Sequence, residues 1–171
     1  FDAQNWLATV KTTDDDSSNG SAEASSGVEL NSLVAFNTGA SISYGLLGVG
    51  EANDPLDKTL VTTATGNVGL DQEHSGASKM CTDFENYPNC LGATPIPVEY
   101  QRYALSAVAY SLGTELTTTP AEVELNVPKV TSSTPTTGTV WWGISIPAGI
   151  IAGTYNGANT ITAVKGEIAN W

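Results

Sequence analysis

The sequence predicts an all-β sandwich, and three observations predict it. The first is the run V-W-W-G-I-S-I-P-A-G-I-I-A-G-T-Y-N-G-A-N-T-I-T-A-V within Thr139 to Trp171, which alternates apolar with small polar side chains around a Pro-Gly-Gly turn. Ile144 and Ile146 lie two apart before that turn, and Tyr155, Ile161 and Val164 follow it, so the stretch reads as a β-hairpin buried on one face. The second is a succession of short β-rich runs separated by turn formers along the whole chain. The third is composition: 14% of residues are charged, against about 25% in a typical domain. Thr, Ser, Gly and Asn fill the difference, as on the exposed strand faces and turns of secreted β proteins.

The elements follow in order. W-L-A-T-V-K-T within Phe1 to Thr13 is a short alternating strand. D-D-D-S-S-N-G-S-A-E-A-S-S-G, Asp14 to Gly27, has no large apolar residue and reads as a solvated, flexible linker. From Val28 the spacing gives strands over Val28 to Phe36, Ser41 to Leu47, Lys58 to Thr65, Asn67 to His74, Tyr103 to Tyr110, Glu122 to Val127, Val140 to Ile146 and Thr154 to Val164. Gln101 to Leu112 tolerates helix, but its Tyr and Val residues favour a strand. Pro95 to Pro97, Asn126 to Lys129 and Ile146 to Gly149 supply the breaks. The expected organisation is an N-terminal strand at 1–13, an acidic linker at 14–27 and a sandwich with a short tail at 28–171.

A chain of 171 residues is long enough for one buried core and forces no second domain. Its net charge of −12, from 18 acidic and 6 basic residues, argues against nucleic acid and anionic lipid as partners, because both need clustered Lys and Arg. No apolar run approaches the roughly 20 residues of a membrane helix. Cys81 and Cys90 flank a loop of turn formers and are expected to form a disulfide, which places the protein outside the reducing cytoplasm. Closing so short a loop contributes roughly 2.5 to 3 kcal/mol. With Phe1 in place of an initiating Met, the first strand reads as the continuation of an upstream segment.

Few motifs carry chemistry. Asp14, Asp15 and Asp16 with Ser17 and Asn19 have the oxygen-rich spacing of a calcium loop, but Ser26 stands where the bidentate Glu belongs. Asn19-Gly20-Ser21 is a glycosylation sequon. G-L-L-G-V-G at Gly45 to Gly50 lacks both the dinucleotide spacing and a Walker lysine. His74 has no nucleophile elbow to serve, and an acid pair is defined only in space, so the expectation is a non-enzyme without cofactor. Trp141 and Trp142 must point to opposite faces of their strand, one into the core and one outward, where it could meet a glycan.

The termini are more suggestive. Phe1, Trp6 and Val10 lie on an amphipathic strand set apart by the polar 14–27 stretch, and Ile168 and Trp171 extend past the last core strand. A lone strand must pair with an edge, its own or a neighbour's, and pairing with the next subunit is β-strand addition. These five residues are the expected subunit contacts.

Thr62 to Asp71 (T-T-A-T-G-N-V-G-L-D), Met80 to Phe84 (M-C-T-D-F), Ile96 to Ser106 (I-P-V-E-Y-Q-R-Y-A-L-S), Val123 to Ser132 (V-E-L-N-V-P-K-V-T-S) and Trp141 to Val164 together resemble a family of secreted, immunoglobulin-like surface proteins of candidate-phyla-radiation (Patescibacteria-type) bacteria. The likeness covers about Val28 to Val164. It implies an immunoglobulin-like sandwich, an extracellular or cell-surface location and a structural or adhesive role, with no catalytic residues to carry over. G-E-I-A-N-W after Lys165 departs from the family pattern. The resulting expectation is a subunit of a surface filament or layer that self-associates by β-strand addition; the alternative is an adhesin or glycan-binding module using an exposed aromatic.

Overall fold

The computed structural model describes residues 5–29, 31–167 and 169. Its strands are β1 (Asn5–Trp6), β2 (Thr9–Thr13), β3 (Asn19–Glu23), β4 (Val28–Glu29), β5 (Phe36–Thr38), β6 (Lys58–Ala64) and β7 (Leu70–Gly76). They continue with β8 (Lys79–Met80), β9 (Ile96–Pro97), β10 (Gln101–Ala104), β11 (Thr114–Glu115), β12 (Ala121–Val127), β13 (Thr137–Ile144) and β14 (Asn159–Lys165). The chain is all-β, and every strand pair is antiparallel.

Two sheets make the sandwich. One has the order β11-β10-β13-β6-β5 and the other β12-β7-β14. Alternation turns Leu60, Tyr103, Val140 and Trp142 of the first sheet against Val123 and Ile161 of the second, with Val98 and Leu116 filling the space between. β13 is the centre of this core: its β-branched and aromatic residues suit a pleated surface, and Trp142 is fully buried while Trp141 is only partly so. The expectation of one inward and one outward Trp is thus met.

A polar link crosses the core. Gln72 Nε2 on β7 donates to Thr62 Oγ1 on β6 at 2.7 Å. His74 Nε2 pairs with Gln72 Oε1 at 2.9 Å, and since that oxygen only accepts, the imidazole donates from Nε2. The ring stacks on Trp142 at 5.2 Å and meets Tyr103 edge-on at 4.9 Å. Burial pushes its pKa down to about 4.

Four expectations are corrected. Of the strand expected over Val28 to Phe36, only Val28–Glu29 and Phe36 are strand among the described residues. β13 and β14 are not a hairpin: they lie in different sheets, and the Pro-Gly-rich residues 145–158 arch from one sheet to the other. Ser41 to Leu47 forms no strand; Ile42, Tyr44 and Leu47 pack inward without a ladder, and Asn53 Nδ2 holds the Tyr44 carbonyl at 3.1 Å. The strand expected over Tyr103 to Tyr110 ends at Ala104, followed by a 3-10 turn at Tyr110–Leu112.

The N-terminal region also differs from the lone strand and unstructured linker expected. β2 pairs with β3, Thr9 opposite Glu23 through Thr13 opposite Asn19, so Asn19–Glu23 of the acidic stretch is strand. Asp14 Oδ1 accepts the Ser18 amide at 2.7 Å, and Ser17 takes a left-handed φ of 65°, which closes the turn. β1 pairs with β4 at the base of this arm. The arm then meets the sandwich at Gly66 and Asn67: the Leu33 amide donates to Asn67 Oδ1 at 2.6 Å, Asn67 Nδ2 donates to the Asn31 carbonyl at 3.0 Å, and the Gly66 amide reaches the Ala35 carbonyl at 3.1 Å. A Cβ on Gly66 would collide with the Leu33 carbonyl oxygen, so only glycine admits this approach.

Candidate functional site

A sandwich that assembles needs an unpaired edge. In the five-stranded sheet the edge strands are three and two residues long, β5 and β11. In the other sheet β12 is blunted by a register shift between Val123 and Val127, by the left-handed Asn126 at φ 53° and by Pro128 beyond. β14 is the exception. It holds seven residues in unbroken register with β7, has no proline, and pairs with no strand on its other side among the described residues.

Beside that edge the two sheets are not closed on each other. The 39–44 segment and the start of β14 line one cleft of ≈ 410 Å³, with Ile42, Leu60, Met80, Asn159 and Ile161 among its walls. It adjoins a larger apolar cleft of ≈ 810 Å³ between the 41–49 and 150–156 segments, with Tyr44, Met80 and Tyr155 common to both. Leu46, Val49 and Ile151 stand exposed at its mouth. The smaller cleft is polar at one point: Tyr44 Oη donates to Gln101 Oε1 at 2.9 Å, and Asn159 Nδ2 donates to the same oxygen at 3.0 Å. Burial holds the Tyr44 phenol far above its ordinary range, so it acts as a fixed donor at any physiological pH.

The Cys81–Cys90 disulfide is formed, with Cα atoms 5.8 Å apart, and fits a protein folded outside the reducing cytoplasm. It does not cross the core but tightens the loop beside β8, and a bridge from Cys81 to Asn156 ties that loop to the approach to β14. Among the described residues no helix is long and apolar enough to cross a membrane.

The arm is the second component. Every described side chain of β2 and β3 is exposed, and Trp6 and Val10 show 51% and 64% of their surface. Val10 and Thr12 share one face of β2 by alternation. Phe1, Ile168 and Trp171, the other expected contacts, lie outside the described residues.

The remaining sequence candidates sit as follows. Asp14, Asp15 and Asp16 do not bring their carboxylates together; the structure uses Asp14 for the hairpin turn. Asn19 opens β3 with its side chain exposed, donating to the Ser17 carbonyl at 3.1 Å and accepting Thr13 Oγ1 at 2.6 Å. Three carboxylates that do converge, Asp71, Glu124 and Glu167, were not legible from spacing. Their one sequence signal is the placing of Asp and Glu at outward positions of two strands, which means something only once the strands are paired.

No protein-family model, curated protein or solved structure matches the chain.

Proposed function

We propose that the protein is an extracellular structural subunit of a cell-surface filament or layer, and that its copies join by β-strand addition between the N-terminal arm of one and the β14 edge of the next. The observation that supports it is the arm itself. A two-stranded ribbon is marginal in water, and burial of an apolar side chain contributes about 1.5–3 kcal/mol, yet Trp6 and Val10 remain largely exposed here. The β14 edge offers the complementary half: unpaired backbone groups beside an apolar cleft, where main-chain bonds give affinity and alternate side chains fill the groove. Because the two surfaces differ, the contact is heterologous and repeats head to tail. The kinship with immunoglobulin-like surface proteins of candidate-phyla-radiation bacteria belongs to the same reading, which assigns no catalysis and no cofactor.

Electron microscopy and light scattering on the intact protein and on a variant lacking residues 1–24 test it. Ordered polymers from the intact chain, reduced to folded monomers by the deletion and weakened by Val10→Asp, are expected; polymers that survive the deletion, or monomers in both, would sink the reading. A second reading, glycan binding, is favoured by the outward Trp141, the partly exposed neighbour of a buried Trp142. Saturable binding on a glycan array that is lost in Trp141→Ala would favour it.

A further inference from the structure

Four of the chain's 18 acidic residues lie on the outer face of the three-stranded sheet, and a fifth, Glu167, borders it. The alternation that turns Leu70, Gln72 and His74 inward on β7 turns Asp71 and Glu73 outward, and the inward Val123 leaves Glu122 and Glu124 outward on β12. Glu122 stands directly opposite Glu73 in the ladder, a like-charge pair that destabilises the sheet unless its field is neutralised. At the end of this face Asp71, Glu124 and Glu167 each bring one oxygen within 4.8 Å of the others. They come from β7, from β12 and from the second residue after β14.

Asp71 departs most from a merely solvated acidic surface. The residue is fully buried. Its Oδ1 accepts the Asn126 amide at 2.5 Å, presented by the bulge in β12. Its Oδ2 is met by no hydrogen-bond donor. That oxygen lies 3.0 Å from where a Cβ on Gly166 would be, so it faces the chain that carries Glu167. Neither described ion pair, Lys58 with Asp57 or Arg102 with Glu115, involves it. A buried carboxylate oxygen in this position is unfavourable unless a proton or a cation joins it. Burial first, and then the charges of Glu167 and Glu122, push the Asp71 carboxyl above its usual range against the pull of the Asn126 amide; Glu167 does the same to Glu124.

We propose that Asp71, Glu124 and Glu167 form a binding site for a hard divalent cation, calcium. The donor set is all carboxylate oxygen. Calcium holds oxygen at about 2.4 Å, so oxygens that share one ion stand no more than about 4.8 Å apart, a condition that all three of these carboxylates meet. Zinc would ask for nitrogen or sulfur, but both cysteines are in the disulfide and His74 faces the core. Magnesium demands near-ideal octahedral geometry, which one buried and two exposed carboxylates from three separate segments do not impose. Water completes the shell. Bound there, the ion ties the chain leaving β14 to β7 and β12 and relieves the repulsion across the face.

The test is thermal unfolding and isothermal calorimetry of the full chain with calcium chloride, magnesium chloride and sodium chloride at matched ionic strength. The variants Glu124→Gln and Glu167→Gln remove ligands at exposed positions that the fold does not need, and Glu85→Gln serves as a distant control. A saturable, calcium-selective rise in Tm is expected, retained in Glu85→Gln and with affinity lowered at least tenfold in each ligand variant. No shift beyond that of sodium chloride, or a calcium shift that persists in both ligand variants, would overturn the site.

Discussion

The imidazole of His74 sits between Trp142 and Tyr103, with Nε2 committed to Gln72 and Nδ1 buried without a partner. Its pKa of about 4 gives stability a defined pH dependence. In the unfolded chain the ring takes a proton below about 6.5, while in the folded chain it stays neutral down to about 4. The unfolded state therefore binds more protons across that window, and stability falls as pH drops through it, by roughly 3 kcal/mol for this group, and is flat above it. Because His74 is the only histidine, its NMR signal reads the titration directly. A midpoint near 4 is expected, and one near 6.5 would show that the ring is solvated. Gly66 makes a second prediction at this scale. Its replacement by Ala forces the backbone at Leu33 away, and a loss of about 1–3 kcal/mol in urea unfolding is expected.

At the scale of elements, strands were legible and their partners were not. β6, β12 and β13 fall where period-two alternation puts them, because Leu60, Val123, Val140 and Trp142 need the same core face. The same signal misled between β13 and β14. Alternation fixes which face of a strand is buried but not which strand lies beside it, and the glycine-rich arch between these two carries the chain across the sandwich. It misled again at 41–47, where Ile42 and Tyr44 alternate inward to line a cleft with no ladder at all. The arm escaped because β3, N-G-S-A-E, has no apolar face and is held by backbone pairing and a capped turn. The disulfide was plain from spacing, and its part is local. Reduction is expected to lower stability by roughly 2.5 to 3 kcal/mol. It should also raise proteolytic cutting within 82–89 while leaving the sandwich folded, and global unfolding on reduction would contradict that division.

For the whole molecule, the proposed strand addition draws on parts other than those that hold the core. The buried side chains belong to the sandwich and to the cluster of Ile96, Ile144 and Ile150 beneath the larger cleft, whereas β2 and β3 bury none. Composition forecast such a surface, acidic and poor in basic residues, but the exposed arm and the one long open edge on which the proposal rests are visible only once the sheets are paired. Strand addition at that edge is read most directly by hydrogen–deuterium exchange at the amides of 159–165. Alternate amides of β14 point away from β7 and exchange freely in an isolated copy. In the assembled protein those amides are expected to slow at least tenfold and to recover their fast exchange when residues 1–24 are deleted. Equal exchange in the intact and deleted proteins, at concentrations where the intact chain polymerises, would contradict strand addition at β14.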